Sequence, residues 1–109
     1  MIKSFADIKK TDLRGMVRRL DSLGRILVPK EYRRELGLEK DSAIELIHLV
    51  DGLLIRPWSD GAGAPVRRID ALGRVIIPIG IRRALGIDFH DELEMFLLRD
   101  GMFIRKKAA

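Results

Sequence analysis

The chain has 109 residues, room for one compact unit or two very small ones. It contains no cysteine, which excludes disulfides, thiolate metal sites and thiol nucleophiles and suits a reducing compartment. A formal net charge of +5 points toward a polyanionic partner. No run approaches the roughly 18 continuous apolar residues of a membrane span, and no apolar stretch of a signal peptide opens the chain, so a cytoplasmic protein without a membrane partner is expected.

Residues 1–15 read as an N-terminal tail or a short helix, with Ile2, Phe5 and Ile8 able to share one face. Residues 17–56 and 66–105 then repeat one motif. The copies align without a gap at a constant offset of 49, and 18 of the 40 aligned pairs are identical. A unit of about 40 residues is usually too small to bury a core alone. The two copies must therefore share one, which predicts a pseudo-two-fold body. The domain division is residues 1–15, repeat 1 over 16–56, a linker over 57–65 and repeat 2 over 66–107.

Within each copy the expected order is strand, turn, strand, short helix, hairpin. Residues 17–20 and 66–69 are short β-type runs. The turns DSLGR and DALGR follow, with Gly24 and Gly73 available for a positive φ. Residues 25–28 and 74–77 are aliphatic strands, each ended by Pro29 or Pro78, which suit the start of a helix. Helices are predicted over Lys30–Leu36 and Ile79–Leu85, stopped by Gly37 and Gly86. Tyr32 with Leu36, and Ile81 with Leu85, would bury one face and leave the paired arginines on the others. Residues 43–50 and 92–99 are apolar-rich strands, returning over 53–56 and 102–105 through Asp51-Gly52 and Asp100-Gly101, read as type I′ turns. The segment PWSDGAGAP between the copies is a linker, with Trp58 packed loosely at its root.

Charge divides each copy. Residues 17–34 hold six basic and two acidic side chains, +4, and residues 35–56 hold two basic and five acidic, −3. The second copy repeats the split, with five basic and one acidic over 66–83 and two basic and five acidic over 84–105. The basic halves carry Arg18, Arg19, Arg25, Arg33 and Arg34, then Arg67, Arg68, Arg74, Arg82 and Arg83. The planar five-donor guanidinium suits phosphate oxygens and the guanine edge, so these ten are the candidate DNA-binding residues. Arg56 and Arg105, which close the hairpins, read as structural or as general phosphate contacts. An enzyme finds little support. His48 and His90 stand opposite Leu97 and Asp41 rather than each other, and no phosphate loop, nucleophile elbow or metal-ligand spacing appears. No catalytic residue, metal site or cofactor is assigned.

The pattern V-R-R-h-D-x-L-G-R-h-h-h-P-x-x-h-R-R-x-L-G-h, where h is aliphatic or aromatic, resembles the AbrB/SpoVT/MazE-like DNA-binding domain of prokaryotic transition-state regulators. Both copies match it, over about 80 of the 109 residues. The resemblance implies a mainly β fold with short helices: two tandem β-β-α-β-β swapped-hairpin repeats interleaved into one small barrel-like body. It implies an intramolecular pseudo-dimer, able to dimerise further, that acts as a transcriptional regulator on double-stranded DNA at the nucleoid. It places DNA contacts on Arg18 and Arg67, Arg25 and Arg74, Arg33 and Arg82, and Arg34 and Arg83, with Arg19 and Arg68 beside them. Two departures stand out: Lys30 is answered by Ile79, and Gly80 lies inside the second helix. Ser42 also replaces the Asp found at position 91, and is expected to make a similar turn bond. The alternatives are an antitoxin-like subunit with a toxin partner, which predicts a disordered C-terminal segment, and a protein-interaction module on a related β-barrel.

Overall fold

The computed structural model describes residues 2–8, 15–58 and 66–108. After an N-terminal 3-10 turn, Phe5–Asp7, the first copy forms β1 (Met16–Arg19), β2 (Arg25–Leu27), α1 (Lys30–Leu36), β3 (Ala43–Leu49) and β4 (Gly52–Pro57). The second copy repeats it as β5 (Val66–Arg68), β6 (Arg74–Ile76), α2 (Ile79–Leu85), β7 (Glu92–Leu97) and β8 (Met102–Lys106). β2, β3, β5, β6 and β7 fall within the expected runs, shortened by a residue or two, while β1 starts one residue earlier and β4 and β8 extend past theirs. Residues 59–65, most of the expected linker, lie outside the described residues.

The copies exchange partners. A six-stranded sheet runs β1-β7-β8-β4-β3-β5, and β2 pairs with β6 as a separate ribbon. The first strand of each copy thus lies on the third strand of the other, in antiparallel register: Met16 opposite Met95, and Ala43 opposite Arg68. Residue pairs related by the 49-residue offset fall opposite themselves at two places, Ile26 with Val75 and Leu54 with Phe103. Those pairs mark the pseudo-two-fold axis. The fold is mainly β, antiparallel, with two short helices, and the swapped hairpins join within one chain.

Both faces of the sheet are apolar, which explains the near-continuous hydrophobic runs in the sequence. One face presents Ile44, Leu46, Leu53, Ile55, Leu93, Met95, Met102 and Ile104 to the ribbon and helices, forming the main core with Ile26, Val28, Val75 and Ile77. The other presents Leu49, Leu54, Phe96, Leu98 and Phe103, and is covered by Phe5 and Ile8 of the N-terminal segment. The alternation is a period of two, so a one-residue slip would exchange the two faces. Cross-strand pairs Glu45–Arg56 (2.7 Å) and Glu94–Arg105 (3.2 Å) sit at equivalent places on that second face, which gives both arginines a structural role.

The helices end as their sequences predict. Gly37 and Gly86 adopt φ of 67° and 66°, and their N–H groups return to the carbonyls of the paired arginines. Ser42 Oγ accepts the Glu39 N–H at 2.8 Å and an Asp91 carboxylate oxygen accepts the Asp88 N–H at 2.9 Å, so the two turn residues do the same work.

The hairpin turns correct the sequence reading. Leu49 pairs with Gly52 in the ladder, so Val50-Asp51 are the turn residues. The Leu98 N–H donates to the Gly101 carbonyl at 2.8 Å, placing Arg99-Asp100 at the equivalent turn. None of these residues has a positive φ, so neither turn is type I′. The glycines are required for space instead. A methyl group at Gly52 would overlap the Phe103 ring and the Ile104 carbonyl, and one at Gly101 would meet the Ile55 carbonyl.

Candidate nucleic-acid interface

The site is built from the D-x-L-G-R turns. The Asp21 carboxylate accepts the N–H groups of Leu23 (3.0 Å) and Arg25 (2.9 Å) and the Arg25 Nε–H (2.6 Å). Asp70 does the same for Leu72 (2.9 Å), Arg74 (2.8 Å) and Arg74 Nε (2.7 Å). A short carboxylate that closes its own turn is the reason Asp stands first in the motif. The Arg25 backbone N–H, opposed by partial desolvation and reinforced by the Arg25 side chain, holds the Asp21 carboxyl below its ordinary 3.8, and Arg74 does so for Asp70. Each carboxylate engages the Nε edge, so the terminal nitrogens of Arg25 and Arg74 take no part in that bond. Gly24 and Gly73 complete the turns at φ of 81° and 85°.

The helix arginines do not stay on their own copy. Arg33 Nε donates to the Val28 carbonyl at 3.1 Å, and its guanidinium lies against Gly73 of the other repeat. Arg82 Nε donates to Ile77 O at 2.9 Å and lies against Gly24. The backbone follows the same exchange, with Val28 N–H bonded to Gly73 O and Ile77 N–H to Gly24 O, both at 2.9 Å. Arg33 and Arg82 are therefore half-buried bridges, contrary to the expectation that both arginines of each pair sit on free helix faces. Arg34 and Arg83 are exposed.

Strand alternation divides the remaining candidates. Arg18 lies opposite Leu93, and Arg67 opposite Ile44, on the sheet face that carries the ribbon and helices. Arg19 and Arg68 point to the other face. Arg19 stands 3.9 Å from Glu92, and Arg68 donates to the Asp41 carbonyl at 2.7 Å. Eight of the ten arginines thus belong to the ribbon-and-helix side, in four dyad-related pairs.

Sequence reading missed the apolar part of this surface. On the ribbon Ile26 and Val75 point inward, while Arg25 is opposite Ile76 and Leu27 opposite Arg74 on the outer side. Leu27 and Ile76 are 43% and 51% exposed, and Leu23 and Leu72 at the turn tips 65% and 63%. The available signal was the alternation itself: in a three-residue strand whose central residue is buried, its neighbours must face out. Cations and aliphatic side chains interleaved on a narrow two-stranded ribbon can meet phosphates and base edges together, the thymine methyl included. His48 and His90 are exposed, and so is Trp58. Among the described residues no helix is long and apolar enough to cross a membrane.

Exchanged hairpins around a dyad-related arginine face define an internally duplicated swapped-hairpin domain. Comparison with known proteins places it more closely. Residues 17–61 match the family model described as antidote-toxin recognition MazE, bacterial antitoxin. Stage V sporulation protein T of Bacillus subtilis (strain 168) is 62% identical over 41 residues, which cover 38% of this chain and 23% of that protein. The matched stretch thus spans about a quarter of that relative. The solution structure of PHS018 from Pyrococcus horikoshii aligns with a TM-score of 0.49 and 20% identity, over 88% of this chain and 90% of that one. The first repeat is thus similar to domains of the MazE/AbrB type.

Proposed function

We propose that this protein is a DNA-binding transcriptional regulator of the AbrB/SpoVT type that uses its ribbon-and-helix side as the DNA face. The observation that carries this reading is the placement of eight arginines, four from each copy, on one side of the sheet about a dyad through Ile26 and Val75. Arg25 and Arg74, fixed by Asp21 and Asp70 with their terminal nitrogens outside that bond, are assigned to base edges or the groove floor. Arg18, Arg67, Arg34 and Arg83 are assigned to phosphates, and Arg33 and Arg82 to holding each turn against the opposite helix. Arg19 and Arg68 lie outside this surface. The dyad favours palindromic or bipartite sites of approximate symmetry.

Fluorescence anisotropy of labelled duplex DNA, titrated from about 50 to 200 mM salt, tests it. With the four phosphate arginines displacing counterions, the slope of log K against log salt should approach about −3.6. Absence of binding at low salt overturns the reading. The MazE description of the matched model favours a second one, an antitoxin subunit. Co-purification of a toxin encoded beside this chain would select it.

A further inference from the structure

The second face of the sheet obeys the same pseudo-symmetry, but the chain has one N-terminal segment to cover it. That segment docks through four features. The Lys3 carbonyl accepts the Val50 N–H at 3.0 Å, and the Phe5 N–H donates to the Asp51 carboxylate at 3.0 and 3.2 Å. The Phe5 ring stacks on Phe103 with centroids 4.5 Å apart, and the Arg105 guanidinium lies 5.0 Å from the Phe5 centroid. Together they form a seat: a backbone donor, a carboxylate acceptor, an apolar floor and a cation over the ring.

The 49-residue offset sends Val50 to Arg99, Asp51 to Asp100, Phe103 to Leu54 and Arg105 to Arg56. All four of these line one cavity of about 280 Å³, with Ile2, Ile8, Leu98 and Gly101 completing its wall. The duplication therefore made two seats, and Phe5 fills one. The partner hairpin is equivalent, with Arg99-Asp100 at the turn as Val50-Asp51 are in the first copy. Leu54 is smaller than Phe103, so the second seat has a more open floor.

We propose that this cavity is a docking site for an extended peptide segment of a partner protein, one that presents a large aromatic or aliphatic side chain and an adjacent free backbone N–H. The occupied seat shows the chemistry required. Asp100 accepts the backbone N–H, the Arg99 N–H meets a carbonyl two residues earlier, and Arg56 covers the inserted side chain above Leu54. The N-terminal segment of a second copy is the weaker candidate, because it would vacate an equivalent seat of its own and gain nothing net. The site faces away from the ribbon, so a docked partner and DNA would occupy opposite sides of the sheet.

A synthetic peptide of residues 1–8 is the probe, titrated into the full chain and followed by backbone amide NMR. The expected result is saturable shifts at Arg99, Asp100 and Gly101 with one peptide per chain. Losing the charge-assisted hydrogen bond in the Asp100→Ala protein, or the ring in a Phe5→Ala peptide, should weaken binding by at least about tenfold. The Phe5→Ala protein, with its own segment loosened, should take two peptides. Shifts confined to Asp51, Gly52 and Phe103 would mean that the peptide only displaces the resident segment, and would overturn the proposal. So would the absence of saturable shifts, or an affinity indifferent to Asp100→Ala in a protein of unchanged melting temperature.

Discussion

The Arg82 guanidinium lies over Gly24 of the opposite repeat, so close that a methyl group there would sit 2.7 Å from its central carbon. Arg33 and Gly73 repeat the contact at 2.6 Å. Each D-x-L-G-R turn thus has an arginine from one copy within its motif and an arginine from the other copy on its back. The arginines proposed to bind DNA and the clamp between copies are part of one structure.

Two constraints meet at those glycines, a left-handed φ and a covered Cα. Gly24→Ala should destabilise the fold by about 1–2 kcal/mol from the backbone alone, with the displaced Arg82 adding to it. Gly24→Val should cost more. Thermal unfolding of each variant reads the difference. A melting temperature unchanged by Gly24→Val would remove the requirement for a positive φ.

Arg25→Ala combined with Arg74→Ala separates binding from folding. Each lost guanidinium should cost about 1–3 kcal/mol of DNA affinity, so the pair should weaken binding at least about thirtyfold. Their ion pairs are partly exposed, with 26% and 29% of the arginine side chains accessible, so solvent screening keeps their contribution to stability small. Anisotropy and calorimetry on the same sample check both halves. A collapse of the melting temperature would assign these arginines to the fold.

Gly52→Ala tests a glycine chosen for space. Its φ is not left-handed, yet a methyl group would overlap the Phe103 ring and the Ile104 carbonyl at the dyad. Overpacking of this kind should cost about 1–3 kcal/mol in a denaturant melt. Gly80→Ala is the opposite case. Nothing lies within 4 Å of the added methyl, and the residue is inside α2, so the variant should gain up to about 1 kcal/mol.

Acid should loosen the turns first. Asp21 and Asp70 have folded pKa values lowered below 3.8, so the stability they contribute is present above about pH 4 and is lost as pH falls through the lowered values. Asp91 behaves likewise, held down by the Asp88 N–H and then by Lys106 and His90. Replacing Asp21 and Asp70 by Asn should flatten the fall in stability below about pH 4. Melts from pH 2 to 7 would expose an unchanged acid limb.

Much of the fold was legible because local rules and the repeat agree. The helix bounds follow from Pro29 with Gly37 and Pro78 with Gly86, where a missing donor starts the helix and a left-handed glycine ends it. The type I′ reading of the Asp-Gly pairs failed for a specific reason. A glycine beside an aspartate signals either a positive φ or a close approach, and local sequence does not separate them. The close approach at Gly52 comes from Phe103, 51 residues away in the chain.

The sequence by itself determined that two equivalent units share one core, that each is basic first and acidic second, and which ten arginines repeat. Those properties are one-dimensional, carried by the offset, the composition and the short-range chemistry of Pro, Gly and Asp. Only the tertiary structure decided which arginines share one face. Strand alternation turns Arg19 and Arg68 away from Arg18 and Arg67, and strand exchange brings Arg33 and Arg82 onto the opposite turns. It also decided that one of two equivalent seats on the second sheet face is filled by Phe5. Pairing between β1 and β7, or β4 and β8, joins residues distant in the chain, and the side that each side chain faces is fixed only when that register forms.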